Sequence, residues 1–469
     1  MKTKFKLEND IKHVHFIGIG GISMSGLAEI LQRDGYIVSG SDWFASDITG
    51  HLASKGISFK LGNDAAHISD NIDLIIYTAA VKPDNPELRA AQQKNIPCID
   101  RAKLLGIIME AYKYSIAVAG VHGKTTTTSI IAEVLLAAKL DPTISIGGFM
   151  SSIGSNFRIG NSPYMVLEAC EYYDSFLQFH PYVGLILNID SDHMDYFITF
   201  DRMIDSFRRY AQNINAEGTL VIHKNTAQLK EVTKDLACKI ITYGGDSCGE
   251  GECIWARDIR YDSVGLPSFY IMQGQKELAK ASLKLRGNFN IDNALAAVAV
   301  ALALNIPINQ LVDGLARASG TKRRFENKGT YKDIIIIDDY AHHPTEIKAS
   351  LGAASAGSYK RIICAFQPHT YSRTQNLLED FAATLTIADI VLILPVYASR
   401  EVSSEPRPNY LAEMLTKGIK DRGKKAYFAD SFASAATWIK ENCKTGDLLI
   451  TMGAGDINLL GEGLISGDL

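Results

Sequence analysis

With 469 residues, 46% hydrophobic and 21% charged, and a formal net charge of −4, the chain has the balance of an ordinary folded protein and no basic surplus for nucleic acid. Its length exceeds what one core serves and implies roughly two to four domains. Met1 to Asp10 lacks the apolar centre of a signal peptide, and no run of about 18 apolar residues would span a membrane, so a cytoplasmic protein with no nucleic-acid, membrane or obligate protein partner is expected.

The first hundred residues have βαβ rhythm. His13-Val14-His15-Phe16-Ile17 reads as a strand, Gly18-Ile19-Gly20-Gly21-Ile22-Ser23-Met24 as a glycine turn, and Leu27-Ala28-Glu29-Ile30-Leu31 as a helix. Further strands, residues 36–40 and 74–77, end at Asp42 and at Thr78-Ala79-Ala80. A parallel sheet with ligand-binding residues at its strand ends follows from this pattern. A second unit opens with the strand Ser115-Ile116-Ala117-Val118 and continues with strands 164–167, ending at Glu168, and 183–187, ending at Asn188. Residues 220–270 read as sheet, and 290–305 as an Ala/Leu-rich helix. The third unit holds Ile334-Ile335-Ile336-Ile337 followed by Asp338-Asp339-Tyr340-Ala341-His342-His343-Pro344, then strands 361–366, 390–394 and 448–452. The expected architecture is α/β, three Rossmann-like domains in series, at 1–108, 109–320 and 321–469. The seven cysteines are scattered and odd in number, and no second pair joins Cys248 and Cys253 to complete a zinc site. Buried or solvated thiols in a reducing compartment account for them.

The most informative stretch is Ala119-Gly120-Val121-His122-Gly123-Lys124-Thr125-Thr126-Thr127, between a buried strand and a helix. Glycines let backbone N–H groups approach phosphate oxygens, and the helix N-terminus adds partial positive charge. Lys124 supplies a full charge for β/γ-phosphates, and Thr125 a hydroxyl for Mg²⁺. The loop is not a standard Walker sequence, because Val118 stands where the first glycine belongs and His122 lies inside. Gly18-Ile19-Gly20-Gly21 with Asp42 has the outline of a dinucleotide fingerprint, but the third glycine is replaced by Ser23. A nucleotide diphosphate group satisfies such a loop as well as NAD does. Glu168 and Glu171, with Asp190, Asp192 and His193 after the next strand, are acids and a histidine at adjacent strand ends, where a metal bridging phosphates would sit. Gln367-Pro368-His369-Thr370-Tyr371-Ser372-Arg373 follows another buried strand, and Arg373 is read as a phosphate or carboxylate clamp.

Taken together, residues 15–25, 120–126, 168–171 with 174–177, 188–195, 287–293, 323–325, 338–344, 367–373 and 453–456 resemble the Mur ligase family of ATP-dependent amide-forming enzymes. The likeness runs in family order over essentially the whole chain. The Asp339-Tyr340-Ala341-His342-His343-Pro344-Thr345-Glu346 segment points to the alanine-adding branch and its close relatives. The resemblance implies that a UDP-N-acetylmuramate carboxylate is phosphorylated by ATP and that the amine of L-alanine attacks the acyl phosphate. It also implies that Gly18, Gly20, Gly21, Ser23, Met24, Asp42, Thr78, Ala79, Ala80 and Arg373 serve the UDP sugar. Gly120, His122, Gly123, Lys124, Thr125 and Thr126 would hold ATP, with Asn290 and Asn293 beside adenine. Thr125, Glu168 and His193 become metal-site residues for Mg²⁺. Arg324, Asp339 and His342 come from the third domain toward ATP and the acyl phosphate, His342 as a partner for the amine. Lys124, Glu168, His193, Arg324, Asp339 and His342 form the expected catalytic set. The chain departs from the family at Arg208, where several relatives carry a carbamylated lysine, so no carbamate is expected. It departs again at Thr370, where some alanine-adding members have arginine. Two other enzyme readings stay open: a muropeptide-recycling ligase that adds a tripeptide, and an NAD-dependent oxidoreductase, which leaves the Lys124 loop unexplained. A non-catalytic nucleotide-binding regulator would have no need of the Glu168/His193 and Asp339/His342 sets.

Overall fold

A computed structural model describes residues 7, 10–78, 81–246, 253–262, 265–399, 401 and 409–469. Ala79, Ala80 and Cys248 fall outside them. The first sheet has strands β1 (His13–Ile17), β2 (Ile37–Asp42), β3 (Ser58–Leu61), β4 (Leu74–Tyr77) and β5 (Cys98–Asp100), in the order β3-β2-β1-β4-β5. Its pairings are all parallel. The order reverses direction beside β1, so the turn after Ile17 lies at a switch point, where such sheets bind ligands.

The second sheet is built on β6 (Tyr114–Ala119), β7 (Thr143–Met150), β8 (Ser155–Arg158), β9 (Tyr164–Glu168), β10 (Val183–Ile186), β11 (Thr219–His223) and β12 (Lys239–Tyr243). Strands β13 (Ile254–Tyr261), β14 (Pro267–Gln273) and β15 (Lys276–Ser282) extend it, in the order β15-β14-β13-β12-β11-β10-β6-β9-β7-β8. Strand β6 is flanked by β9 and β10, both parallel to it. The end of β6 therefore faces the ends of two neighbours, which carry Glu168 and Asn188. Central strands read Ile-Ala-Val-Ala and Val-Gly-Leu-Ile because both faces are covered.

The third sheet contains β16 (Glu326–Tyr331), β17 (Ile334–Asp339), β18 (Ile362–Phe366), β19 (Ile390–Ile393), β20 (Lys425–Phe428) and β21 (Leu448–Met452), in the order β16-β17-β21-β18-β19-β20. Only the β16–β17 edge pair is antiparallel there.

By compactness the chain forms two units, one of Met1–Arg257, Tyr270–Ala279 and Asp292–Ala318, the other of Asp258–Phe269, Lys280–Ile291 and Ser319–Leu469. In the first unit one apolar core runs from Val14, Leu27 and Leu31 through Leu104 and Ile108 to Leu167, Phe176 and Phe207. Residues on both sides of the expected 108/109 boundary thus share a core. The second unit packs Ile337, Leu351, Phe366 and Ile450 on one face of its sheet, and Ile336, Leu392, Leu449 and Leu460 on the other. No helix among the described residues is long and apolar enough to cross a membrane.

Candidate active site

The helix Lys124–Ala137 starts directly after Gly123, whose φ of +83° lies in the left-handed region. A Cβ at Gly123 would stand 2.9 Å from Asn293 Oδ1, so conformation and space both call for glycine. His122 is locked from two sides: its N–H donates to Asn188 Oδ1 at 2.8 Å, and Asn188 Nδ2 donates to its carbonyl at 2.9 Å. The loop thus holds the start of the helix beside the ends of β6 and β10, the strand–turn–helix arrangement of an anion site.

Lys124 Nζ donates to the carbonyls of Gly120 at 2.6 Å and Val121 at 3.0 Å, and lies 2.9 Å from Glu171 Oε2. Glu171 is wholly buried. Burial opposes the Lys124 ammonium, but the neighbouring acids, Glu171 foremost, outweigh it and hold its pKa above the ordinary value. Burial also pushes the thiol of Cys170 up to about 11, leaving it a neutral neighbour rather than a nucleophile.

Thr125 Oγ1 donates to Glu168 Oε2 at 2.9 Å, and Gly147 N donates to the same oxygen at 2.8 Å. A hydroxyl and a carboxylate converging beside a phosphate loop form the hard-oxygen set that suits Mg²⁺. The His193 ring stacks on Tyr172 at 4.4 Å, with Nε2 3.7 Å from Glu171 Oε1. Thr125 and Glu168 therefore meet directly, while His193 stands beside the partner of Lys124. Thr126 is buried, and its carbonyl accepts from Ser129 Oγ at 2.7 Å. Asn293 Oδ1 accepts from Thr127 Oγ1 at 3.1 Å, whereas Asn290 Nδ2 donates to Arg286 O at 2.7 Å. Arg208 pairs with Asp205 at 2.6 Å on the helix Phe200–Gln212.

The loop after β1 is held differently. The N–H groups of Gly18 and Ile19 donate to the Ser41 carbonyl at 2.8 and 2.9 Å, and Gly20 N donates to Asp42 Oδ2 at 2.9 Å. A Cβ on Gly20 would lie 2.9 Å from that carboxylate oxygen. Gly21 N donates to Gly18 O at 3.2 Å and caps the helix Ile22–Arg33. The Met24 side chain is buried in the core, so only its backbone N–H, in the first helical turn, belongs to the loop. Arg101 Nη1 donates to Ser23 Oγ at 3.0 Å and brings a guanidinium to this helix start. An open cavity of about 490 Å³ is lined by Gly18, Asp42, Trp43, Asn63, Thr78 and Lys82, among others.

In the second unit Asp339 is buried and accepts from Phe325 N at 3.1 Å, Ser350 Oγ at 2.8 Å and Ala341 N at 2.8 Å. Burial pushes its carboxyl up to about 6. His342 Nδ1 lies 3.0 Å from the Tyr340 carbonyl and 3.3 Å from Glu346 Oε2, and burial lowers its pKa. The guanidinium of Arg324 stacks 5.2 Å from the Tyr340 ring and is 3.9 Å from Glu346. Arg373 is close enough to depress the pKa of His342 and of His369, the latter to about 4, though burial is the larger cause for both. Thr370, with φ of +67°, donates its N–H to Tyr397 O at 2.9 Å and precedes the helix Tyr371–Asn376.

Four residues matter more than the sequence pattern discloses. Glu171 is the counter-ion of Lys124, Asn188 locks His122, Arg101 reaches the first glycine loop, and Arg323 clamps the carbonyls of Gly453 and Gly455 at 2.8 Å each. Asn188 and Glu171 had a visible signal, polar residues that follow buried strands, and Arg323 lies in a segment that carries the family resemblance. Arg101 gave none, because its partner Ser23 lies 78 residues away in sequence.

Three family profiles match the chain in succession: "Mur ligase family, catalytic domain" over residues 13–113, "Mur ligase middle domain" over 118–301 and "Mur ligase, glutamate ligase domain" over 323–455. A UDP-N-acetylmuramate–L-alanine ligase of Agathobacter rectalis is 47% identical over 97% of each chain. The chain belongs to the Mur ligase family. A ligase of the same name from Clostridium novyi is 45% identical, over 97% of this chain and 98% of that one. Among solved structures, the UDP-N-acetylmuramate–alanine ligase of Thermotoga maritima aligns with a TM-score of 0.79 at 28% identity, covering 97% of this chain and 99% of that one. A murein peptide ligase from Psychrobacter arcticus shares the fold, with a TM-score of 0.68 at 24% identity over 97% and 98% of the two chains. Mur ligases use ATP, and the middle-domain match contains the Lys124 loop, Glu168, His193 and both asparagines.

Proposed function

We propose that this Mur ligase joins L-alanine to the lactyl carboxylate of UDP-N-acetylmuramate, at the cost of one ATP, in cytoplasmic synthesis of a peptidoglycan precursor. The observation that carries this reading is identity of 44–47% to ligases of that name along nearly the whole chain. A carboxylate is a poor electrophile. A carboxylate oxygen of the sugar attacks the γ-phosphorus of ATP, ADP leaves, and an acyl phosphate forms. The alanine amine then attacks the acyl carbon, phosphate departs, and the nitrogen loses a proton.

Lys124 and the N-terminus of its helix neutralise charge on the β- and γ-phosphates as the phosphoryl group moves. Glu171 orients that ammonium and keeps it charged. Thr125 and Glu168 would hold Mg²⁺, which would supply charge neutralisation during phosphoryl transfer. We assign His193 to orienting Glu171. The loop after β1 takes the UDP diphosphate, with Arg101 as a cation at its helix start. His342, with its pKa lowered, is a neutral imidazole near neutral pH and is the proposed acceptor of the amine proton. Asp339, with three donors, orders the turn that carries His342.

The test is ADP release with UDP-N-acetylmuramate and, in turn, L-alanine, glycine, L-serine or the tripeptide of the recycling reaction. L-Alanine should give the highest kcat/KM. Preference for the tripeptide, or no ADP release with any amine, overturns the reading.

A further inference from the structure

Behind the first glycine loop lies a second buried carboxylate that the mechanism above leaves unused. Glu87, in the first turn of the helix Pro86–Gln93, is wholly buried. Its Oε2 accepts from Ser41 Oγ at 2.6 Å, and its Oε1 is 2.8 Å from His67 Nδ1 and 3.5 Å from His15 Nε2. With its amide turned so that the NH₂ faces this carboxylate, Asn63 donates to Glu87 Oε2 at 2.9 Å, and its oxygen accepts from Trp43 Nε1 at 2.9 Å. The opposite amide orientation would set oxygen against oxygen and N–H against N–H.

A buried carboxylate is retained only where donors surround it. Two of those donors belong to the wall of the 490 Å³ cavity or to its support: Asn63 lines it, and Ser41 carries the carbonyl that holds Gly18 and Ile19, whereas His15 and His67 line a separate cavity. Glu87 itself does not line the cavity. The chain of contacts ends at Trp43, which lines the cavity and is 65% exposed. An indole whose only polar atom is already bonded, at the wall of a polar pocket, offers a flat apolar face at a fixed angle. Phe44, the adjacent residue, is 79% exposed but does not line the cavity.

We propose that Trp43 is the stacking platform for the pyrimidine base of the nucleotide sugar, and that Asn63, anchored by Glu87, is the positioning residue that fixes its ring. This rests on the reading of the first glycine loop as the UDP site. Base–aromatic stacking predicts a loss of roughly ten-fold in affinity when the ring is removed.

The experiment titrates UDP into the full chain by calorimetry and measures KM and kcat with UDP-N-acetylmuramate. Trp43→Ala should weaken UDP about ten-fold and raise KM for the sugar similarly, with kcat within about two-fold, while Trp43→Phe keeps most of the affinity. Phe44→Ala should change neither. Asn63→Ala should cost a few-fold alone and nothing further in the Trp43→Ala background, which a merely structural role would not produce. UDP affinity unchanged in Trp43→Ala, or equal losses in Trp43→Ala and Phe44→Ala, overturns the inference and leaves the UDP site standing. Additive losses in the double variant overturn the positioning role. Wild-type chain that binds no UDP overturns the reading itself. Trp43 is exposed, so its variants are expected to fold, and an unchanged melting temperature checks this.

Discussion

The two glycine loops share a plan: a buried strand, a glycine turn, a helix, and a wholly buried glutamate behind them. Behind the Gly120–Thr127 loop the glutamate is Glu171, and it faces Lys124 at 2.9 Å. Behind the loop after β1 it is Glu87, and its closest donors are a serine hydroxyl, an amide and histidine rings. One loop is built around an ion pair, Lys124 with Glu171, whose ammonium the proposed reading gives to phosphates. The other has no cation of its own, holds its N–H groups with Ser41 and Asp42, and borrows Arg101 from another helix. Glycines make both turns; on the proposed reading, the placement of charge is what separates a site for a transferring phosphoryl group from a site for a passive diphosphate.

The sharpest way to break that contrast is Lys124→Ala. Ligation should fall by more than about a thousand-fold, with UDP-sugar affinity within about two-fold. The same change strands Glu171 without its counter-ion, a loss of about 3–5 kcal/mol for a buried pair. Adding Glu171→Gln should restore much of the melting temperature and none of the activity. Turnover surviving in Lys124→Ala would remove the loop from the chemistry.

Glu168→Gln is expected to lower kcat roughly 100-fold at limiting Mg²⁺. The amide oxygen still accepts from Thr125 and Gly147, so thermal stability should change little. Equal sensitivity to Mg²⁺ in the variant and the wild type would argue against the metal assignment.

Asp339 adds a third buried carboxylate, one with no ion pair within 4 Å among the described residues and with the field of Arg324, rather than a paired charge, opposing its burial. Its pKa rises from 3.8 to about 6, so between those values the folded chain binds a proton that the unfolded chain has released. That contribution favours folding at low pH and is lost as pH rises through the window, by at most about 3 kcal/mol. Asp339→Asn should therefore gain stability relative to wild type between about pH 4 and 6, read as the difference of melting temperatures. Parallel curves would mean that the acid is already ionised there.

The mildest change is Gly20→Ala. Its Cβ would meet Asp42 Oδ2 at 2.9 Å, so KM for the UDP sugar should rise roughly ten-fold while KM for ATP holds. An effect on ATP instead would reverse the assignment of the loops.

Local sequence made the strands and turns legible. The β-branched runs at 13–17, 74–77, 334–337 and 448–452 all form strands, and both glycine loops stand at strand ends. The partners of charge were not legible. Glu171 lies 47 residues from Lys124, and Arg101 lies 78 from Ser23, separations that no periodicity reports. Backbone sign also escaped the pattern. Arg323 and Phe325 both have positive φ, which helps turn Arg323 onto Asp338 and the Gly453–Gly455 carbonyls and Arg324 onto Tyr340. The two adjacent arginines share the Tyr340 ring, at 5.1 and 5.2 Å, but Arg323 also pairs with Asp338 and Arg324 with Glu346, a division that their order does not announce.

Within the first unit, Gly26 in the helix Ile22–Arg33 leaves room only for the ring of Phe157, and Gly106 in the helix Arg101–Glu110 abuts the carbonyl of Gln178. Each pair brings an element of the first sheet's layer against one of the second's, at a spacing that admits no methyl group. A chimera that exchanged residues 1–108 with those of a relative would inherit one half of each fit. Such a graft has to carry position 157 and the backbone path at 178 along with it, so the natural unit of recombination in this chain is larger than its first domain.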